Sequence, residues 1–169
     1  MLTEQDATWK SLLKLRDKNK ISQRRGNFAR FAWSHIATHF CVDQHTNRAC
    51  GIAFNDGDVR LDQLKDLYPL PSLITFSECN NSDSLIYEGN EPMDIQELQT
   101  ACFVAGANSL VRSVRPILDD TAAEFMPLFY DYYLAGLNPA QALAQTQRHY
   151  IEAGKKLESW ASFVCAGVP

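Results

Sequence analysis

One apolar stretch constrains the fold more than any other feature of the chain. Residues 72–77 (SLITFS) follow the turn-forming residues 68–71 (YPLP) and precede a polar stretch that begins at Glu78. A short, nearly continuous apolar run of this kind is typical of a strand that is buried on both faces in a parallel sheet. Because parallel strands are joined by crossover connections, which are usually helical, we expect an α/β layer structure.

The rest of the chain alternates between strand and helix patterns. Strands are predicted over residues 33–38, 109–114 and 160–166, and a hairpin over 51–61 surrounds the turn sequence NDGD at 55–58. Helices are predicted over 3–16, 94–105, 120–135 and 139–151, with a short one over 62–67. Pro127 is expected to kink the third long helix or to shift its start. The alternation predicts a mostly parallel sheet.

Composition excludes several classes of function. The net charge of -4 and the pI of about 5.5 argue against a surface that binds nucleic acid. The chain begins without a secretory pattern and has no run of about 18 apolar residues, so no membrane partner is expected. Its five cysteines form no short-spaced framework. They are interpreted as free thiols in a reducing cytoplasm, and no cofactor is predicted.

Two chemically capable side chains follow predicted strands directly. His39 ends the strand that starts at Trp33, and Cys79 comes two residues after Ser77. Ligand sites in such sheets lie at the carboxyl ends of the strands. A thiol attacks a carbonyl as thiolate, and a histidine beside it removes the thiol proton and later protonates the leaving amine. The alternative is a structural histidine and a packed thiol, because the chain offers many His and Cys combinations.

The sequence around both residues resembles the CHAT domain family. Residues 34–39 (SHIATH) are similar to the family's His motif, leucine-His-apolar-Ala-Thr-His-Gly, and residues 74–80 (ITFSECN) to its Cys motif. Further similar stretches follow in the family's order, at 103–111 (FVAGANSLV), 116–130 (PILDDTAAEFMPLFY), 134–143 (LAGLNPAQAL) and 160–167 (WASFVCAG). The resemblance covers about Ser34 to Gly167.

The resemblance implies a caspase-like, three-layer α/β/α fold and cleavage of a protein partner by a cysteine peptidase. His39 is then the base and Cys79 the nucleophile, and the backbone N–H groups of Phe40 and Cys79 form the oxyanion hole. Glu78, Arg115 and Asp119 would border the substrate pocket. From the sequence alone, the simplest interpretation of Asp119 is a cap of the helix that follows it. Residues 1–26 are interpreted as an N-terminal helix and linker, and residues 27–169 as the catalytic half of the CHAT domain.

The sequence departs from the family pattern at four places. Phe40 replaces a glycine, Glu78 an alanine and Arg115 a tryptophan. Only about 30 residues precede the His strand, where the family has a further α/β portion. The sheet edge that this leaves open is therefore expected to be covered by the N-terminal helix, or by a partner subunit or a second copy of the chain that completes the domain. The departures also leave a catalytically inactive, assembly-forming module as the alternative.

A zinc site is the third and weakest hypothesis. Its candidate ligands are His35, His39, Cys41, His45 and Cys50. On a strand, His39 and Cys41 share a face, and His45 and Cys50 are expected in the loop that follows. Their spacing matches no common zinc signature, so the sequence predicts no metal.

Overall fold

The computed structural model describes residues 8–17, 32–38, 40–43, 48–77, 95–115 and 117–168. Its strands are β1 (Trp33–Ile36), β2 (Phe40–Asp43), β3 (Arg48–Phe54), β4 (Gly57–Arg60), β5 (Leu73–Phe76), β6 (Ser109–Ser113) and β7 (Phe163–Gly167). Its α-helices are α1 (Trp9–Asp17), α2 (Ile95–Val104), α3 (Asp119–Leu134) and α4 (Pro139–Glu152), and 3₁₀ helices cover Leu61–Leu67 and Leu157–Ser159. None of the helices in these ranges is long and apolar enough to cross a membrane.

The central sheet has four strands in the order β1-β5-β6-β7. The pairs β1–β5 and β5–β6 are parallel, whereas β7 runs antiparallel to β6. All four residues of β5 are buried, because this strand has a neighbour on each side and packed side chains on each face. The predicted mostly parallel α/β sheet is confirmed, and the buried strand predicted within residues 72–77 covers Leu73–Phe76.

Helices cover both faces of this sheet. Ile74, Phe76 and Leu110 pack with buried residues of α2 and of the first 3₁₀ helix. Leu73, Val111 and Phe163 pack with buried residues of α3 and α4. Since neighbouring residues of a strand point to opposite faces, this division of the apolar side chains produces three layers. The α/β/α architecture expected from the family resemblance is present.

Helices α3 and α4 form a helical pair with clear local signals. Helix α3 runs as one helix from Asp119 to Leu134 with Pro127 inside it, so its start is not moved beyond the proline. Two residues after the end of α3 lies Gly136, whose φ of 101° suits glycine. Helix α4 then begins at Asn138, whose side chain accepts from the Gln141 N–H in a reciprocal capping box, with Pro139 in the first turn.

A second, antiparallel sheet follows β1 in the chain. It has the order β2-β3-β4. A two-residue turn of Asn55 and Asp56 joins β3 and β4, and Gly57 after it has a φ of 126° that favours glycine. The hairpin predicted around residues 55–58 is confirmed. The sequence did not predict β2, and Cys50 lies in β3 rather than in a loop.

Helix α1 is held against the turn of this hairpin. The backbone N–H groups of Trp9 and Lys10 donate to the Asp56 carboxylate at 2.7 and 3.1 Å. The Thr8 hydroxyl accepts from the Ser11 N–H at 3.0 Å, and the rings of Trp9 and Phe54 lie 5.8 Å apart. Three of the N–H groups that a helix start leaves unpaired are thus satisfied. Residues 3–7 of the helix predicted over 3–16 lie outside the described residues.

Candidate active site

The carboxyl ends of β1 and β5 lie side by side. The two strands pair in parallel from Trp33 with Leu73 to Ile36 with Phe76, and the Ser77 N–H donates to the Ile36 carbonyl at 3.3 Å beyond the last pair. Parallel neighbours are about 4.8 Å apart and end at the same edge of a sheet. His39 and Cys79 each follow the last pair by three residues. Both lie outside the described residues, so their own geometry stays a prediction.

A hydrogen-bonded network of three side chains lies at this edge. His35 Nε2 is 2.6 Å from the Ser77 hydroxyl, and His35 Nδ1 is 3.0 Å from the Tyr130 hydroxyl. His35 belongs to β1, Ser77 follows β5 and Tyr130 lies on α3. One imidazole therefore joins both strands that precede the predicted dyad to the helix that covers them.

Burial fixes the protonation states in this network. It lowers the pKa of His35 and raises the pKa of Tyr130, so the imidazole and the phenol are both neutral near pH 7. A neutral imidazole donates from one nitrogen and accepts at the other. If the Tyr130 hydroxyl donates to Nδ1, then Nε2–H donates to the Ser77 hydroxyl. In the other tautomer, Nδ1–H donates to Tyr130 and the Ser77 hydroxyl donates to Nε2. Either arrangement satisfies both ring nitrogens.

The predicted oxyanion residue Phe40 is the first residue of β2. It pairs with Ile52 of β3, and two residues earlier the Thr38 hydroxyl donates to the Ala53 carbonyl at 2.5 Å. The segment that carries His39 is thus bounded by β1 of the central sheet and by β2 of the hairpin sheet. The position of the family's glycine is occupied by a residue in a paired strand.

The predicted pocket residues have different positions. Arg115 lies two residues past β6 and is exposed, and Asp119 is the exposed first residue of α3. Neither side chain makes a hydrogen bond or an ion pair within the described ranges. Glu78 lies outside those ranges. Arg115 and Asp119 both follow the carboxyl end of β6, which is the strand next to β5.

Sequence reasoning missed a buried arginine at the same edge. Arg112 of β6 is the register partner of Phe76 and is only 4% exposed. Its Nη1 donates to the Ser113 carbonyl at 3.4 Å. The charge of Arg112 lowers the pKa of the nearby Cys102 thiol, but burial of this thiol has the larger effect and raises its pKa to about 12. The signal was one basic residue inside the strand predicted over residues 109–114.

Cys102 and Cys165 are the cysteines whose side chains the structure describes as free thiols. Cys102 is buried and Cys165 is partly buried, and burial raises the pKa of both thiols. Among the side chains that the structure describes, no three His, Cys, Asp or Glu residues are grouped as metal ligands. Of the five candidate zinc ligands, His35 alone has a described side chain, and its ring nitrogens contact Ser77 and Tyr130.

Parallel strands between helical layers, with residues 34–39 (SHIATH) extending beyond β1 and residues 74–80 (ITFSECN) extending beyond β5, are consistent with the caspase-like class of α/β folds. The family model of the CHAT domain matches residues 1–168. The chain therefore belongs to the CHAT domain family, which is a family of caspase-like peptidases. No curated relative matches the sequence.

Proposed function

We propose that the chain is a cysteine endopeptidase that cleaves a protein partner with His39 and Cys79 as its dyad. The observation that carries this proposal is the parallel register of β1 and β5. The last paired residues, Ile36 and Phe76, each precede one member of the dyad by three positions. An extension of equal length on two adjacent strands supports delivery of both side chains to one place.

The proposed reaction follows from the chemistry of a thiol and an imidazole. His39 takes the proton of the Cys79 thiol, and the thiolate attacks the carbonyl carbon of the scissile peptide bond. The C–N bond then breaks, and the protonated His39 gives its proton to the leaving amine. Water, deprotonated by His39, hydrolyses the resulting thioester and regenerates the thiol.

The other predicted site residues have roles in binding and charge stabilisation. The N–H groups of Phe40 and Cys79 are the proposed donors to the oxyanion. Arg115 and Asp119 follow the strand next to β5, and their exposure leaves their charges available to a substrate. Arg115 favours an acidic substrate side chain, and Glu78 a basic one.

The proposed setting of this activity is the cytoplasm, and the proposed partners are proteins. The substrate is a protein that docks on this chain or on an associated receptor. A partner subunit or a second copy of the chain is proposed to cover the sheet edge next to β1, since an uncovered edge strand promotes aggregation. No nucleic acid, membrane or cofactor has a part in the proposal.

Thiol labelling tests this function directly. We expect iodoacetamide at neutral pH to alkylate Cys79 faster than Cys102 or Cys165, as measured for each cysteine by peptide mass spectrometry. His39→Ala should slow the reaction of Cys79 about tenfold or more, because the base is lost. His149→Ala is the matched control, since it removes an exposed histidine of α4. Equal labelling of all five thiols in the folded protein would contradict the proposal.

A catalytically inactive assembly module is the second candidate, and one observation favours it. Phe40 is paired with Ile52 in β2, whereas the family has a glycine at this position. A backbone held in a strand is restricted in how it aims its N–H at an oxyanion. This candidate predicts a stable oligomer or complex whose formation does not change with Cys79→Ala or His39→Ala, as measured by light scattering.

A further inference from the structure

The Tyr130–His35–Ser77 network joins elements that are distant in sequence at one edge of the sheet. Its two hydrogen bonds span 42 and 95 residues of chain. Ser77 precedes Cys79 by two residues, and His35 precedes His39 by four. His35 lies on β1 and Ser77 directly follows β5, so both residues are on chain segments that continue to the proposed dyad.

The backbone alone provides few ties at this point. After the pair of Ile36 and Phe76, the Ser77 N–H makes the one further ladder bond between these strands within the described ranges. The chain after β1 turns into the hairpin sheet, where Thr38 bonds the Ala53 carbonyl. The segment after β1 is thus bonded to the hairpin sheet, and the hydrogen bond between His35 and Ser77 is a side-chain tie between β1 and the residue that follows β5.

Tyr130 gives the network a rigid support. Its ring stacks on Trp33 at 4.3 Å between centroids and meets Phe129 edge-on at 5.1 Å. Phe129 is fully buried in the cluster between α3 and the sheet. The hydroxyl of Tyr130 is therefore fixed by packing before it bonds His35, which lowers the entropic cost of ordering the imidazole.

We propose that Tyr130, His35 and Ser77 act as positioning residues that hold the His39 and Cys79 segments at the distance required for proton transfer. This proposal rests on the proposed peptidase function. None of the three residues is assigned a contact with substrate. They act indirectly, through the two strand ends. Such an effect is large enough to measure, because a misplacement of about 1 Å in a reacting pair can reduce a rate by about a hundredfold.

The test measures the alkylation rate of Cys79 by iodoacetamide between pH 5 and 10 in matched variants. Tyr130→Phe removes one hydroxyl and keeps the ring, and Ser77→Ala removes the other hydroxyl. Tyr132→Phe is the control on the same helix, because its hydroxyl makes no hydrogen bond in the part of the chain that the structure describes. Ser113→Ala is the control for Ser77, since these serines are 7% and 8% exposed at the ends of adjacent strands.

We expect a wild-type pH profile that depends on His39, with thiolate reactivity extending below the range of an ordinary thiol. Tyr130→Phe and Ser77→Ala should each reduce the rate at pH 7 about tenfold and move the profile toward that of an ordinary thiol. Tyr132→Phe and Ser113→Ala should leave the profile unchanged. The melting temperature of each variant is measured as a control, to check that the variant is folded at the assay temperature.

Two different results separate the failure of this proposal from the failure of the proposed function. If the wild-type profile is shifted and depends on His39, but Tyr130→Phe and Ser77→Ala leave it unchanged, the positioning role is overturned and the dyad stands. If the wild-type profile is already that of an ordinary thiol and His39→Ala does not alter it, the dyad itself is overturned. A loss of stability with an unchanged profile would show that the network is structural only.

Discussion

Ile36 and Phe76 are register partners at the ends of two adjacent parallel strands. Ile36 is a half-buried residue of the edge strand, and Phe76 is fully buried in the central one. They are the last register pair between β1 and β5, and one further hydrogen bond follows, from the Ser77 N–H to the Ile36 carbonyl. The His and Cys motifs of the CHAT domain family continue from these two positions, so this pair connects the fold to the proposed chemistry.

Cys102 is expected to be inert in the folded protein. Its thiol is fully buried, and burial raises its pKa to about 12. At pH 8 only about one molecule in ten thousand would carry the reactive thiolate. Iodoacetamide should therefore leave Cys102 unlabelled in native protein and label it at an ordinary rate in urea. Labelling of native Cys102 as fast as free cysteine would contradict the burial that the structure describes.

Asp56 is expected to hold α1 in place in a pH-dependent manner. Desolvation raises the pKa of this carboxyl, but the hydrogen bonds from the N–H groups of Lys10 and Trp9 together lower it by more than desolvation raises it. The pKa of Asp56 therefore lies below its ordinary value. The stabilisation is therefore complete above the unfolded pKa and is lost as the pH falls through the folded one. Asp56→Ala should produce severalfold faster hydrogen exchange in residues 10–17 at pH 7, measured by mass spectrometry.

Asp58→Ala is the matched control for Asp56, because it removes an exposed carboxylate from the same hairpin. It should leave exchange in α1 unchanged. Acidification of the wild type should reproduce the effect of Asp56→Ala after correction for the intrinsic exchange rate. Equal protection of α1 in the wild type and in Asp56→Ala would show that the turn carboxylate does not cap the helix.

Pro127 and Pro139 should respond in opposite directions to substitution by alanine. Pro127 is exposed in the interior of α3, where it removes one helical hydrogen bond. Pro127→Ala restores this bond and should raise the free energy of unfolding by about 1–2 kcal/mol, since the greater flexibility of the unfolded chain offsets part of the gain. Pro139 begins α4, and Pro139→Ala should lower the free energy of unfolding by up to about 1 kcal/mol.

Urea denaturation of the two proline variants measures both changes. A destabilised Pro127→Ala variant would mean that the ring makes contacts worth more than the missing hydrogen bond. A Pro139→Ala variant more stable than the wild type would contradict the favourable position of proline in the first turn of α4.

Phe125 is expected to be a main contributor to the stability of the α3–α4 layer. It is fully buried, and its ring stacks on Phe163 of β7 at 4.4 Å between centroids. Phe125→Ala should lower the free energy of unfolding by about 3–5 kcal/mol in chemical denaturation, because it leaves a cavity between helix and sheet. Leu134→Ala, an exposed residue at the end of the same helix, should change it by less than about 0.5 kcal/mol. Similar values for the two variants would contradict this assignment of the core.

The sequence by itself determined the elements whose physics is local. The apolar run at residues 72–77 predicted β5, because a strand packed on both faces needs no polar side. The turn sequence at 55–58 predicted the hairpin, since Gly57 has the positive φ that the turn requires. Asn138 and Pro139 predicted the start of α4 through capping groups that lie within one turn.

The tertiary structure alone decided the contacts that join distant parts of the chain. The Asp56 carboxylate caps α1 across 47 residues, and Tyr130 bonds His35 across 95. Strand β2 was not predicted, because it is stabilised by pairing with β3. No local pattern encodes such pairings, since each depends on where the layers place a side chain after the chain has folded. The sequence predicted that the His and Cys motifs lie at the ends of two strands, and the fold determined that the ends of β1 and β5 are neighbours.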